Sequence, residues 1–295
     1  MSTPQRPYID VHAHIGDTIN RVPPVGQTIE KYLGRMAESG VYAALPCPAA
    51  GGPLARGVAD TRDQNSAVAG GCRRYPDRFP LGFAIVEVRH QQPGVDEIER
   101  AMRDDGLAGF MCHAPISGHQ LGPELHPALE MVDGRKGMVL LHVGGRGSEA
   151  RAAAHARRFR NTTFIMAHVS MARDQHAEAV KHLAGLDNAW YDFAQHPADA
   201  DESWNLAEIV AGFGTERLLF GSDSPYYDHR LLRTQIEQST LPEAVKDGIA
   251  WRNAVDLIQR FRPQWQLNPA PVERPAALGG QDLWAHQSNN PARLL

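Results

Sequence analysis

Two histidines stand two residues apart in the apolar segment 8–14, which is predicted to be a β-strand. Because side chains alternate along a strand, His12 and His14 are expected to point to the same face. Neutral imidazoles are common ligands of Zn²⁺ and of other divalent cations. The chain contains 14 histidines, so such a pair can arise by chance. It indicates a metal site only if other strands place further ligands beside it.

Three further apolar segments each end in a residue that can bind a metal. They are His142 after residues 138–141, His168 after residues 164–167 and Asp223 after residues 218–222. The carboxyl ends of the strands of a parallel barrel open onto one mouth, where the active sites of such barrels lie. Burying an unpaired histidine or aspartate there costs several kcal/mol. A cation shared with the His-x-His pair would remove that cost.

Each of these residues also has a simpler explanation. His142 and His168 could each hydrogen-bond a loop carbonyl at a strand end. Asp223 could cap the segment that follows it. Because these explanations do not account for the residues ending strands together, we favour the shared metal site. Asp10 is predicted to share the inward face with His12, where it could orient an imidazole or make a hydrogen bond at the start of the strand.

The order of the predicted elements indicates an α/β fold. Runs rich in β-branched and aromatic residues alternate with segments of helical periodicity, which is typical of repeated βα units. The predicted strands are residues 8–14, 41–46, 81–86, 107–113, 138–143, 163–168, 190–194 and 218–223. The predicted helices are residues 28–38, 61–74, 95–103, 124–132, 148–159, 175–183, 204–213, 230–238 and 242–261. Eight such units favour a (β/α)8 TIM barrel over a doubly wound open sheet, and no Gly-x-Gly-x-x-Gly motif opens the first helix.

Length and composition favour a single domain. A chain of 295 residues is ordinary for one barrel, and 42% hydrophobic residues can build a large core. We therefore predict one TIM-barrel domain over residues 1–262. Proline, asparagine, glutamine and glycine accumulate from Pro263, so residues 263–295 are predicted to be a C-terminal extension. Leu283 and Trp284 could pack this extension on its own barrel or on a neighbouring subunit of a homodimer.

Charge and cysteine content exclude several classes of partner. The 30 basic and 34 acidic residues are interspersed and give a formal net charge of -4, with no Lys/Arg run that could follow a phosphate backbone. No apolar run approaches the roughly 18 residues of a membrane span. We therefore predict neither nucleic acid nor a membrane as a partner. Three widely spaced cysteines and a polar N-terminus without a secretion signal predict a cytoplasmic protein.

Taken in order along the chain, these motifs resemble the amidohydrolase superfamily. Within it they resemble the amidohydrolase-related group, which contains small hydrolases, lactonases, hydratases and aromatic-acid decarboxylases. The resemblance extends to about Phe261. It rests on residues 9–14, 75–79 and 106–110, on the strands that end in His142 and His168, on residues 220–225 and on Asn253-Ala254.

This resemblance implies a metal centre and a role for each residue. One divalent cation, Zn²⁺ before others, would bind to His12, His14, His142 and Asp223. His168 would lie nearby as an acid/base or water-orienting group, and Asp223 could also take a proton. Relatives with two metals usually carry a carboxylated lysine on a middle strand, but the matching strand here reads Phe110-Met111-Cys112-His113. A mononuclear centre is therefore expected, with Cys112 or His113 as neighbours, although some relatives use the same residues without a metal.

Two chemistries compete at such a centre. Attack of activated water on a carbonyl of a small amide, ester or lactone demands fewer residues, so hydrolysis is predicted first. Non-oxidative decarboxylation of an aromatic or enoic acid is the alternative, and it needs a proton donor and usually a cation for the carboxylate. Candidates for that cation are Arg56, Arg146 and Arg173, although each is more often a solvated surface residue. A non-catalytic metal-binding barrel is a second alternative, but closed structural zinc sites are usually rich in cysteine pairs.

Overall fold

Eight parallel strands form the centre of the computed structural model, which describes residues 6–17, 25–49, 55–117, 120–144, 147–170, 173–195 and 206–284. The strands are β1 (Tyr8–Asp17), β2 (Gly26–Gln27), β3 (Val41–Pro48), β4 (Phe83–Ile85), β5 (Gly109–Cys112), β6 (Met138–His142), β7 (Thr163–Ala167), β8 (Ala189–Asp192) and β9 (Leu218–Leu219). All but β2 belong to the barrel, because β2 pairs antiparallel with the end of β1.

Helices surround the strands and follow them along the chain. They are α1 (Ile29–Ser39), α2 (Val58–Arg74), α3 (Gln91–Asp104), α4 (Ala114–Ser117), α5 (His126–Gly134), α6 (Ser148–Arg158), α7 (His176–Leu183), α8 (Leu206–Phe213), α9 (His229–Gln238), α10 (Glu243–Asp247) and α11 (Asn253–Gln259). Helix α1 shows why they form: the Thr28 side chain caps its first turn, and Gly40 ends it with φ 68°. Its buried residues recur at helical spacing and face the strands.

The strands close into a barrel in chain order. One ladder joins β2, β1 and β3, and the other runs from β4 to β9 without a change of order. Between β1 and the chain after β9, Asp223 N donates to His12 O at 2.8 Å and His14 N donates to Ser224 O at 2.7 Å. Between β3 and the chain before β4, Ala44 N donates to Arg78 O at 2.8 Å. The predicted (β/α)8 TIM barrel is therefore confirmed, and the open sheet is excluded because β1 meets the last strand.

An irregularity in β1 decides which of its side chains face inward. The pairing of β1 with β3 changes register between Asp10 and Ala13. Val11 packs in the barrel interior with Leu45 and Ile85. Asp10 instead lies in the layer between barrel and helices, where the hydroxyl of Tyr32 in α1 donates to its carboxylate at 2.6 Å. A shift of one residue exchanges the two faces of a strand, so Asp10 does not share the inward face predicted for it.

The C-terminal extension packs on the barrel of its own chain as far as it is described. Leu283 and Trp284 are buried, and Arg35 of α1 donates from Nε to Leu283 O at 3.1 Å. Residues 285–295 lie outside the described part of the chain. No helix within the described residues is long and apolar enough to cross a membrane.

Several element boundaries differ from the prediction. The eighth barrel strand ends at Leu219 instead of residue 223, because the chain turns sharply towards Asp223, whose φ is 58°. The helix predicted over residues 242–261 is divided into α10 and α11 by a π-helical turn at Gly248–Arg252. Helix α8 begins at Leu206, and the first two residues of its predicted range lie outside the described residues.

Candidate metal centre

The end of β1 places both members of the His-x-His pair in the barrel mouth. His12 is 2% exposed and His14 is 1% exposed. Their Nε2 atoms lie 3.2 Å apart, and their rings meet edge to face with centroids 5.1 Å apart. The prediction that the two side chains share a face agrees with this arrangement.

Asp223 lies beside these two histidines, in the chain after β9 that pairs with β1. Its Oδ1 lies 2.8 Å from His14 Nε2 and 3.4 Å from His12 Nε2. Gln195, which follows β8, donates to the other carboxylate oxygen. Gly221, two residues earlier, lets the chain pass close to Asp192 and His12, because a Cβ there would lie 3.0 Å from Asp192 Cβ and 3.1 Å from His12 Cβ. The alternative that Asp223 merely caps the next segment does not account for these contacts.

Asp192 at the end of β8 is a site residue that sequence reasoning missed. Its Oδ2 accepts a hydrogen bond from His12 Nδ1 at 3.1 Å, and its Oδ1 accepts from the backbone of His168 at 3.1 Å and of Ala194 at 3.0 Å. The sequence signal was present, since Trp190-Tyr191-Asp192 is another apolar strand that ends in a carboxylate. A carboxylate behind an imidazole is the usual means of orienting a metal-binding histidine.

The hydrogen bonds of the histidines fix which ring nitrogens are available to a ligand. His12 Nδ1 faces Asp192, and His14 Nδ1 lies 3.0 Å from the carbonyl oxygen of Pro48. Both Nδ1 atoms therefore carry a proton, as assigned from their acceptors, so both Nε2 atoms present lone pairs when the rings are neutral. Burial opposes protonation of His14, but Cys47 and Asp223 raise its pKa well above the ordinary value, so a proton on His14 Nε2 can donate to Asp223 Oδ1 in place of a cation. Two lone pairs and a carboxylate oxygen of Asp223 converge within 3.4 Å, which is repulsive unless a cation or a proton lies among them. The donor set therefore fits a divalent cation.

His168 joins this group from the end of β7. Its Nδ1 lies 3.2 Å from Ala194 O, so its Nε2 is also free for a ligand or a proton. Donor atoms of His12, His168 and Asp223 all lie within 4.8 Å of one another. The backbone of His168 has φ 62°, and Gln195 has the same value. Non-glycine residues rarely adopt this conformation, and those that do are often found at functional sites.

His142 and His113 form the opposite side of the mouth. The His142 ring lies 4.5 Å from that of His168 and 4.1 Å from that of His113, measured between centroids. His142 Nδ1 is buried and makes no hydrogen bond with any of the described residues. Ile116 N donates to His113 Nδ1 at 3.2 Å, which leaves the proton of the neutral ring on Nε2. His142 therefore lies beside the donor group without a hydrogen-bonded acceptor to orient it.

The two sides differ in charge. Burial would raise the pKa of Asp223, but the hydrogen bond with His14 and the nearby imidazoles hold it well below its ordinary range. Burial likewise opposes ionisation of Asp192, yet His12 keeps the pKa of Asp192 low. On the opposite side, burial lowers the pKa of His113 to about 4 and that of His142 well below its ordinary value. Two anionic carboxylates thus face two neutral imidazoles.

Other residues singled out in the sequence lie elsewhere or outside the description. Arg56 is exposed on the surface and pairs with Asp60 and Asp63. Arg146 lies outside the described residues, and the side chain of Arg173 is not described. Cys112 is buried, and Cys47 Sγ lies 3.3 Å from His14 Nδ1. The described residues thus contain no cysteine pair that would form a closed structural zinc site.

Fold and site together define a (β/α)8 barrel with a histidine- and aspartate-lined centre at its mouth. A protein-family model described as amidohydrolase matches residues 9–260. The chain therefore belongs to the amidohydrolase family, and the resemblance drawn from its motifs is confirmed. No curated protein sequence is detectably similar to the chain.

Solved structures with the same fold extend this comparison. The 5-carboxyvanillate decarboxylase from Sphingomonas paucimobilis superimposes with a TM-score of 0.65 at 15% identity, covering 86% of this chain and 99% of its own. A dihydroxybenzoic acid decarboxylase from Polaromonas sp. JS666, with bound manganese and 2-nitroresorcinol, gives 0.63 at 18% identity, covering 88% and 98%. A probable 2-pyrone-4,6-dicarboxylic acid hydrolase from Acinetobacter baumannii, with citric acid, gives 0.60 at 16% identity, covering 85% and 98%. These likenesses establish the shared fold.

Proposed function

We propose that this protein is a metal-dependent hydrolase that attacks a carbonyl of a small amide, ester or lactone. The observation that carries the proposal is the convergence of His12 Nε2, His14 Nε2 and Asp223 Oδ1 within 3.4 Å, with both histidine Nδ1 atoms facing oxygen acceptors. This is the arrangement of imidazoles held for a cation. Membership of the amidohydrolase family supports the same conclusion.

The proposed ligands are His12, His14, His142 and Asp223. Asp192 holds His12, and the Pro48 carbonyl holds His14, so their Nε2 atoms stay aimed at one point. His142 is the least constrained of the proposed ligands, because its Nδ1 has no hydrogen-bond partner among the described residues. When bound there, a divalent cation would polarise a carbonyl and lower the pKa of water to about 7.

His168 is proposed to move the proton. Its pKa is lowered by burial, so the ring is neutral near pH 7, and its Nδ1 is held by Ala194 O. Nε2 can accept the proton of the attacking water as the new carbon–oxygen bond forms. The same proton then passes to the leaving amine or alcohol as the carbon–heteroatom bond breaks. Asp223 is a second acceptor near this point, since its donor atom lies within 4.8 Å of that of His168.

Zn²⁺ remains the proposed cation because imidazole and carboxylate ligands suit it. The same ligands also accept Mn²⁺, and the Polaromonas decarboxylase carries manganese. Metal analysis of the purified protein distinguishes the two. We further propose that the protein acts on its small-molecule substrate in the cytoplasm.

Decarboxylation of an aromatic acid is the second candidate. Two of the solved structures described above are aromatic-acid decarboxylases of the same fold. The neutral pair His113 and His142 favours this chemistry in one respect, because the proton of neutral His113 lies on Nε2 and could bind a substrate oxygen. Hydrolysis stays the first candidate, because activation of water at the proposed centre does not require a further cation to bind a substrate carboxylate.

A product assay separates the two reactions. The wild-type protein is incubated with panels of esters, lactones, amides and hydroxylated aromatic acids, in ¹⁸O-labelled water, with and without a chelator. Hydrolysis incorporates ¹⁸O into the carboxylic acid product, whereas decarboxylation releases CO₂ and leaves an aromatic product that has gained a proton and no ¹⁸O. Turnover that persists after metal removal would contradict both. Unfolding on chelation with no turnover on either panel would indicate a structural metal instead.

The role of His168 has its own test. His168→Asn should keep the metal and lose roughly 10²–10⁴-fold in kcat, as expected for a lost general acid/base. His155→Gln is the matched control, because His155 is also buried and bonded to a carbonyl oxygen, that of Leu121 at 2.8 Å, but lies on α6. The assignment is wrong if both variants retain wild-type kcat.

A further inference from the structure

The end of the described chain covers the helix-facing side of β1. Trp284 is 6% exposed, and its indole Nε1 donates to Glu38 Oε2 at 2.7 Å. The guanidinium groups of Arg35 and Arg230 both lie over its ring, 4.9 and 5.1 Å from the ring centroid. These cation–π contacts and the indole hydrogen bond fix Trp284 in one orientation.

Beneath Trp284 lies a fully buried histidine. The His229 ring meets the indole edge to face, with centroids 5.4 Å apart and planes at 85°. His229 Nδ1 lies 2.8 Å from Ser39 Oγ, and His229 Nε2 lies 3.3 Å from Asp10 Oδ2. His229 Nε2 and Asp10 Oδ2 are close but do not form a hydrogen bond, so the strength of their contact depends on the position in which the ring is held.

Asp10 also binds the two backbone segments that carry the proposed ligands His12 and Asp223. Its Oδ1 accepts from the backbone N of His12 at 3.1 Å and from that of Ser222 at 2.8 Å. Its side chain is completely buried, as is that of His229. One carboxylate therefore ties a proposed ligand, His12, to the residue immediately before another, Asp223.

We propose that Leu283 and Trp284 form a C-terminal strap that positions the metal ligands through His229 and Asp10. The strap excludes water from His229 and Asp10, so that no solvent competes for the oxygens that bind the His12 and Ser222 backbones. Metal ligands must be held to within about 0.5 Å, and such precision depends on the groups behind them. Trp284 and His229 are accordingly positioning residues, and this inference rests on the metal centre of the proposed function.

The test compares two buried tryptophans of the same extension. Trp284→Ala removes the strap, whereas Trp265→Ala removes another buried ring of the extension, in the segment to which Gln259 of α11 donates from Nε2, at 3.0 Å from Trp265 O. Zn²⁺ affinity is measured by chelator competition, and the visible spectrum of the Co²⁺-loaded protein reports the ligand geometry. Trp284→Ala should weaken Kd roughly tenfold and alter the spectrum, as expected for a group behind the ligands. Trp265→Ala and Trp284→Phe, which keeps an aromatic ring over His229, should match the wild type.

Each remaining outcome decides the matter. Equal Zn²⁺ affinity and equal spectra for Trp284→Ala and the wild type would overturn the strap, as would identical losses in the two alanine variants. Should Trp284→Ala fail to fold, His229→Gln replaces it, and a wild-type Kd in that variant overturns the inference. A wild-type protein that binds neither cation refutes the proposed metal centre itself, and the strap with it. If the wild type binds metal and Trp284→Ala has the same Zn²⁺ affinity and the same Co²⁺ spectrum, only the strap is refuted.

Discussion

The two halves of the histidine cluster contain the same type of side chain in opposite surroundings. In the acidic half, His12 and His14 lie against the carboxylates of Asp192 and Asp223. In the neutral half, the rings of His113 and His142 lie against each other at an angle of 33°, and burial lowers the pKa of both. An imidazole is therefore not a ligand by type alone: the acceptor behind it and the charge beside it decide its role.

This difference suggests a division of labour across the mouth. The acidic half offers oriented lone pairs and an anionic oxygen, which is what a cation requires. The neutral half keeps uncharged rings in a buried place, so it can face a substrate without the cost of burying a second charge. His168 lies between the halves, with its ring 4.8 Å from that of His12 and 4.5 Å from that of His142.

Breaking the acidic half should have the largest effect. Asp223→Asn keeps the shape of the side chain but removes the charge that faces His12 and His14. We expect the metal Kd to weaken by more than the roughly 100-fold typical of a change behind the ligands, with loss of turnover. Isothermal titration with Zn²⁺ and Mn²⁺ measures this. A variant that binds metal as tightly as the wild type would show that Asp223 is not a ligand.

Disturbing the support of the acidic half should cost less. Asp192→Asn leaves every proposed ligand in place but weakens the acceptor for His12 Nδ1, so we expect a Kd roughly 10- to 100-fold weaker. Asp133→Asn is the control, because Asp133 also accepts backbone hydrogen bonds, from Asn161 and Thr162, but lies away from the mouth. Equal affinities for the two variants in the same titration would remove the proposed role of Asp192.

Within the neutral half, the two rings should separate. His142→Gln removes a proposed ligand and should weaken metal binding, whereas His113→Gln should leave Kd unchanged and alter KM. Chelator competition and steady-state kinetics on the identified substrate measure both effects. If His113→Gln weakens metal binding as much as His142→Gln does, the boundary between ligand and neighbour has been drawn in the wrong place.

The smallest effect should appear in the pH dependence of stability. Folding lowers the pKa of His113 from its ordinary 6.5 to about 4, so the unfolded chain binds a proton more readily than the folded one. The associated stability is complete above pH 6.5 and is lost as the pH falls towards about 4. Urea unfolding of the metal-free protein should show a smaller loss over this interval for His113→Gln. Identical slopes for variant and wild type would contradict this.

The barrel could be predicted from the sequence because its signals are local. Each barrel strand is an apolar run, each helix after it has its own periodicity, and the ligand-type residues stand at strand ends. That rule predicts that His12, His14, His142, His168 and Asp223 lie close together, and the structure brings them to one mouth of the barrel. It did not find Asp192, because the predicted strand ran on to residue 194 and so placed this aspartate inside the strand, whereas β8 ends at Asp192.

The direction of Asp10 lay beyond sequence reasoning for a physical reason. Strict alternation would send Asp10 and His12 to one face, but the register of β1 shifts between Asp10 and Ala13 through its pairing with β3. That shift arises from contacts between strands far apart in the chain, so no local pattern encodes it. The seat of Trp284 is equally non-local, since it depends on α1 and α9 meeting over β1.

The sequence by itself therefore determined the fold class, the order of the units and which residue types end the strands, since these follow from hydrophobic periodicity along the chain. Only the tertiary structure decided which nitrogen of each imidazole is free, which carboxylate supports His12, and which histidines lie beside a negative charge. Those properties depend on hydrogen-bond partners and on burial, and both are set by residues that meet only when the barrel closes.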